Sequence, residues 1–272
     1  MFIVLQIERS QRTGVVGRLM DRLQHSRISE QSLEVMGGRY KQLCWRGASR
    51  PDWEEITTAC FRYQNRVLLP QGITLPEGVL LEAPALPRFR RAVLIQTACA
   101  IAERSKLPLY RRILGIIDDT GAMAAELPLL LRYYSCVRVV SHRTALYARE
   151  SERMMHELGA PVLVGCEPDS LRDCMLVLSA GSQRNVGIKA PLLCADTASE
   201  GFPCISSLQI TPPDVVVKAC PEDISLNTFA GSLYEFSGVR GYNLVAGQML
   251  CDYRRSSITE AVNAVCSHAQ QL

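Results

Sequence analysis

Arg112-Ile113-Leu114-Gly115-Ile116-Ile117-Asp118-Asp119-Thr120-Gly121-Ala122-Met123-Ala124 is the stretch whose reading decides the fold. The apolar run from Arg112 to Ile117, closed by two acids and a glycine, has the length and composition of a buried strand. Gly121 to Tyr133 reads as the helix that follows it. The same rhythm then repeats, with a strand at Cys136 to Ser141, a helix at Thr144 to Leu158 and a strand at Val162 to Gly165. A short helix around Ser170 and Leu171 leads to further strands at Cys174 to Leu178 and Leu192 to Ala195. Strands and helices alternating at this pitch predict a parallel sheet with right-handed crossovers, in which ligands sit at the carboxyl ends of the strands.

Upstream, Phe2 to Ile7 reads as a strand, and Val15, Val16, Leu19, Met20 and Leu23 recur at helical spacing. Tyr40 to Trp45 is a short strand, Pro51 and Asp52 open a helix, and Arg66 to Leu69 is another strand. Pro70 to Pro87 is turn-rich, and Ala92 to Glu103 is an amphipathic helix that ends before Pro108. Beyond Ile224 the pattern turns mostly helical, clearest at Leu226 to Phe236 and Ile258 to His268. The expected organisation is a smaller α/β domain over 1–108, a Rossmann-like domain over 109–221 and a C-terminal helical segment over 222–272 that packs back.

The 272 residues are 47% hydrophobic and 21% charged, an ordinary globular balance. No run reaches the ~20 apolar residues of a membrane helix. Met1 to Ile7 lacks a basic leader and meets Glu8 and Arg9 at once, the signature of a core strand rather than a signal peptide. Eleven scattered cysteines, several within apolar runs (Cys136, Cys174, Cys194), read as buried thiols of a cytoplasmic protein, not as a disulfide framework. None shows C-x-x-C spacing, and His25, His142, His156 and His268 lie far apart, so no metal site is expected. A net charge of +3 argues against a nucleic-acid partner, although arginine supplies 26 of the 30 basic residues and clusters at Arg88, Arg90 and Arg91. A small-molecule ligand and a homodimer are both compatible with this composition.

A dinucleotide site needs a glycine-rich first turn, because backbone N–H groups must approach the pyrophosphate closely. Laid on G-x-G-x-x-G/A, Gly121 takes the close-approach position and Ala124 the helix-packing position, while Asp119 replaces the first glycine. Strand two ends at Ser141, His142 and Arg143, 22 to 24 residues after Asp119, where such proteins read the ribose. Arg143 there suits the 2′-phosphate of NADP. The candidate cofactor-binding set is therefore Asp119, Thr120, Gly121, Ala122, Ala124, Ser141, His142, Arg143, Thr144 and, from a later strand end, Ser179. Asp118 and Asp119 oppose that ligand: a carboxylate ~5 Å from a phosphate costs on the order of 3 kcal/mol at an effective dielectric of ~20, roughly a hundredfold in affinity. The other reading makes the acids caps of the following helix, satisfying its orphan N–H groups.

With this turn and layout the chain resembles the shikimate dehydrogenase and glutamyl-tRNA reductase class of NADP-binding proteins. The resemblance implies an α/β substrate domain first, a Rossmann domain from near residue 110, and C-terminal helices returning across the first domain. Ser141-His142-Arg143-Thr144 is similar to the Asn-Arg-Thr motif that holds the NADP phosphate in shikimate dehydrogenases, with Arg143 and Thr144 matching. That class places its catalytic lysine after an N-V-T-x-P run. The local analogue Gly72-Ile73-Thr74-Leu75-Pro76 has no lysine after it.

Other Rossmann-like chemistries meet missing residues. A receiver domain needs an aspartate at the end of strand three, where Gly165-Cys166-Glu167 stands. A haloacid-dehalogenase phosphatase with Asp118 as nucleophile needs an acid at Thr120, and a methyltransferase needs one near Ser141. His142 at a strand end is either an acid–base group or a plain polar residue, and Cys166 and the Ser179-Ala180-Gly181-Ser182 segment are either ligand-facing or turns. The expectation is a non-catalytic or ligand-sensing protein with a degenerate nucleotide-binding domain. The alternative is an NADP-dependent oxidoreductase using Gly121, Ala124, Ser141 and Arg143.

Overall fold

Short runs separated by turn residues, most of them apolar, become twelve strands among the residues that the computed structural model describes, 1–9, 27–47, 50–179, 189–194 and 204–271. In chain order the first elements are β1 (Ile3–Arg9), β2 (Arg27–Val35), β3 (Gly38–Gly47), α1 (Trp53–Ala59), β4 (Val67–Leu68), α2 (Pro87–Arg104) and β5 (Ile113–Ile117). Next come α3 (Leu127–Leu130), β6 (Cys136–Val140), α4 (Thr144–Leu158), β7 (Val162–Val164), β8 (Leu176–Ser179), β9 (Leu192–Cys194) and β10 (Cys204–Ile210). The last are α5 (Asp214–Ala219), α6 (Leu226–Phe236), β11 (Ala246–Cys251), β12 (Arg254–Ser257) and α7 (Ile258–Ala269). The helix expected around Val15 to Leu23 lies outside the described residues.

The chain forms two units, Met1–Phe89 with Pro212–Tyr242, and Arg90–Thr211 with Asn243–Leu272. The first contains a sheet of order β2-β3-β1-β4, with β1 parallel to β3 and β4. β2 and β3 are a hairpin closed by Met36 and Gly37, both at positive φ (50° and 77°). One side of the sheet buries Ile3, Leu5, Leu43 and Trp45 with Ile56 and Cys60. On the other, Phe2, Tyr40 and Phe229 of α6 pack with ring centroids 5.2–6.0 Å apart. Asp52 caps α1 as its sequence position suggests, accepting from the N–H groups of Glu54 and Glu55 at 3.1 Å. The expected boundaries differ from this division because α6 belongs with the first unit. A Cβ at its Gly231 would meet Phe89 at 2.7 Å and Leu86 at 2.8 Å, and its Glu235 carboxylate accepts from Phe89 N and Arg88 Nε, both at 2.9 Å.

The second unit holds an eight-stranded sheet of order β12-β11-β10-β9-β8-β5-β6-β7. From β7 to β10 every pairing is parallel. Numbered from β5, these strands run 3-2-1-4-5-6, the doubly wound dinucleotide-fold order. The Rossmann-like class expected from the alternation is thus present. The order reverses between β5 and β8, where Ile117 lies in register with Ser179. β11 and β12 extend the sheet antiparallel.

Two expectations are corrected. Gly121 to Tyr133 is not one helix: Gly121 sits at φ 74°, Ala124–Glu126 is a single 3₁₀ turn, and α3 spans four residues including Pro128. A left-handed glycine and a residue without an N–H interrupt the ladder that the apolar spacing suggests. The C-terminal segment is not only helical either. The β11–β12 hairpin stands between α6 and α7, turning through Asp252 and Tyr253 at φ 47° and 65°.

Candidate functional site

The turn after β5 is organised by Asp118, which is 1% exposed. Its backbone stays in the sheet, donating to the Val140 carbonyl at 3.2 Å. Its carboxylate lies beneath the turn. Oδ1 accepts from Thr120 N at 2.9 Å, Thr120 Oγ1 at 2.6 Å and Gly121 N at 3.1 Å. Oδ2 accepts from Met123 N at 2.8 Å and from the Tyr147 hydroxyl of α4 at 2.7 Å. Ala122 N donates to Thr120 Oγ1 at 3.2 Å, and Ala124 N to the Gly121 carbonyl at 3.3 Å. Every backbone N–H from Thr120 to Ala124 therefore has a partner within the protein.

Burial pushes the Asp118 carboxyl up, but the hydrogen bonds from Thr120, Met123 and Tyr147 together outweigh it and hold the group below its ordinary value. Burial, and then the adjacent carboxylate, push the Tyr147 phenol far above its own. The pair is an ionised acid held by a neutral phenol. At 1% exposure Asp118 reaches no outside substrate as base or nucleophile.

The second turn is fastened to the first. The Ser141 hydroxyl donates to the Asp118 carbonyl and accepts from Arg143 N at 3.0 Å. Gly121 faces the start of α4, where a Cβ would meet Leu146 Cδ1 at 2.5 Å and Arg143 Cβ at 3.4 Å. In a dinucleotide site this glycine leaves room for a phosphate. Here Leu146 takes that room. Asp119 turns the other way, its Oδ1 3.8 Å from Nε2 of His142, whose side chain is 90% exposed. Arg143 and Thr144 are exposed at the head of α4, and a Cβ added at Gly165, just after β7, would lie 4.0 Å from the Thr144 methyl.

The structure brings together Asp119, Thr120, Gly121, Ala122, Ser141, His142, Arg143 and Thr144 at the carboxyl ends of β5 and β6. Ala124 is buried beneath the turn. Ser179, 2% exposed, ends β8 on the opposite side of β5 from Ser141. Residues 180–182 of the loop expected after it lie outside the described residues. Of the two readings of the acids, Asp118 performs the internal one, as an anchor for the turn's donors. Tyr147 was not singled out from sequence. Its signal was there: Tyr147 and Met154 are the buried residues of α4, seven apart, and a buried phenol needs a hydrogen-bond partner.

Such a turn does not fit a dinucleotide pyrophosphate. The N–H groups of Thr120, Gly121 and Met123 point at Asp118, a Cβ's place at the close-approach glycine is taken by Leu146, and the helix behind the turn is four residues long. Among the described residues no group of three or more His, Cys, Asp or Glu side chains could hold a metal ion, and no helix is long and apolar enough to cross a membrane.

No protein-family model matches the chain and no curated protein matches it in sequence. Among solved structures it is similar to the Thermococcus litoralis Δ1-pyrroline-2-carboxylate reductase solved with NADH and L-proline (15% identity, TM-score 0.30, 65% of this chain and 60% of that one). It is also similar to an archaeal alanine dehydrogenase dimer with bound NAD (14% identity, TM-score 0.30, 65% and 58%). A third is the Nostoc punctiforme L-tryptophan dehydrogenase (9% identity, TM-score 0.30, 99% and 88%). The matches to the first two span about three-fifths of their lengths. Likenesses this loose carry no activity or cofactor to this chain. The Rossmann-type class rests on the strand order.

Proposed function

We propose that the chain is a non-catalytic, ligand-sensing protein built on a Rossmann-type sheet, one that has kept the scaffold of dinucleotide oxidoreductases without their pyrophosphate site. The observation that carries this reading is the internal use of every N–H from Thr120 to Ala124, with Asp118 taking those of Thr120, Gly121 and Met123. The missing lysine after Pro76 supports the same conclusion. Asp119, His142 and Arg143 remain at the strand ends as polar groups for a small molecule that is not a dinucleotide. Eleven cysteines, scattered through the chain and several of them within apolar runs, support residence in the cytoplasm.

The competing reading, an NADP-linked reductase of the shikimate dehydrogenase-like class, rests on exposed Arg143 and Thr144. Titration of the full chain with NADH and NADPH, following the fluorescence of the reduced nicotinamide, separates the two. No change up to millimolar nucleotide is expected and would rule out the reductase reading, whereas saturation in the micromolar range would overturn the proposal that the site takes no dinucleotide.

A further inference from the structure

β2 is the outer strand of the four-stranded sheet, nine residues long, and among the described residues no strand takes up its outer edge. Its backbone orientation follows from β3. Lys41 N donates to the Phe2 carbonyl at 3.0 Å, so Lys41 is turned toward β1. Its partner Ser32 therefore belongs to a non-hydrogen-bonded pair. Alternation then turns the N–H and C=O groups of Ile28, Glu30, Ser32 and Glu34 outward. The side chains from Arg27 to Glu34 are exposed apart from half-buried Ile28 and Leu33. A long open edge of this kind is a template for another strand.

We propose that β2 pairs antiparallel with β2 of a second copy of this chain, about a two-fold axis through Gln31, joining two four-stranded sheets edge to edge. Outward backbone groups must meet outward groups, and full overlap of residues 27–35 then sets Gln31 opposite Gln31 of the other copy. In that register Ile28 faces Glu34 of the other copy, Glu30 faces Ser32, Ser29 faces Leu33 and Arg27 faces Val35. Moving the axis to Glu30 sets Glu30 against itself, and moving it to Ser32 sets Glu30 against Glu34. Like charges directly opposite are destabilising, so charge selects Gln31. Each acid also meets a cation on its own sheet, Glu30 with Lys41 and Glu34 with Arg39 at 3.2 Å.

Two further features fit this partner. Gln31 lies in register with Gln42, whose amide donates to Gln6, so a row of amides that crosses one sheet would continue through the axis into the next. Val215 and Val217 of α5, a helix that lies against β2, are 50% and 44% exposed. The pairing does not depend on what the strand ends of the second unit bind.

Light scattering of the full chain is expected to give twice the chain mass. Ser32→Pro removes an outward N–H without touching the β2–β3 ladder, and should give a folded monomer by circular dichroism. Gln31→Lys and Gln31→Glu each place like charges on the axis and should raise the dissociation constant on the order of tenfold or more. Mixing those two variants should restore the dimer, which requires residue 31 to face its own copy. A wild-type monomer at every attainable concentration overturns the proposal, as does a dimer that neither Gln31 variant weakens. Should Ser32→Pro fail to fold, the Gln31 pair decides alone.

Discussion

The Tyr147 hydroxyl donates a 2.7 Å hydrogen bond to Oδ2 of Asp118, with both side chains essentially out of contact with solvent. It ties α4 to the turn after β5 and helps to keep that turn's carboxylate ionised. Tyr147→Phe should therefore destabilise the protein by about 2 kcal/mol, the usual effect of deleting a hydrogen bond to a buried charge. Chemical denaturation with an unchanged m-value checks this. A variant as stable as the wild type would mean that the bond contributes nothing.

The same carboxylate predicts how stability varies with acid. Its pKa is depressed in the folded state. The unfolded chain thus takes up the proton first as pH falls, and the stabilisation, complete above the ordinary carboxylate range, is lost as pH drops through the folded value. Asp118→Asn, which keeps one acceptor oxygen and must turn its NH2 toward either the Thr120 and Gly121 donors or the Met123 and Tyr147 donors, should be less stable than wild type at neutral pH. The two denaturation midpoints should converge in strong acid. A gap that is constant with pH would show that ionisation of Asp118 does not matter.

Gly121 is required twice over, by φ 74° and by Leu146 Cδ1 at 2.5 Å from where a Cβ would lie. Gly121→Ala should cost about 2 kcal/mol or more, since the left-handed conformation alone costs an L-residue ~1–2. Leu146→Ala in the same chain should recover the steric part and leave the conformational part. Purely additive destabilisation in the double-mutant cycle would remove Leu146 from the explanation.

Charge repulsion of a phosphate by Asp118 and Asp119 together is one of the two sequence readings of this turn, the other being that the acids cap the following helix. The geometry leaves the turn's donors to Asp118, since Asp119 turns toward His142. Asp119→Gly should consequently leave NADPH binding undetectable by calorimetry. A tenfold or greater gain in affinity would restore the charge explanation.

Much of the parallel sheet was legible because β5, β6 and β8 are near-continuous apolar runs that need no partner to be recognised. The hairpins were not. Asp252-Tyr253 is not a usual two-residue turn pair, and the polar strand β2 lacks an apolar alternation to reveal it. The apolar spacing over Gly121 to Tyr133 predicts a helix that the left-handed Gly121 and the missing N–H of Pro128 break. At the site, the motif alignment placed Gly121 and Ser141 at the correct strand ends. It said nothing of which way a side chain points, and Asp118 acts entirely through its direction.

On the proposed reading, the N–H groups of Thr120, Gly121 and Met123 are taken by Asp118 and closed to a phosphate. Amide NMR of Thr120, Gly121 and Met123 in the full chain, with NADPH or inorganic diphosphate added, tests it most directly. The three resonances should stay in place to millimolar ligand, and their saturable movement would contradict the account.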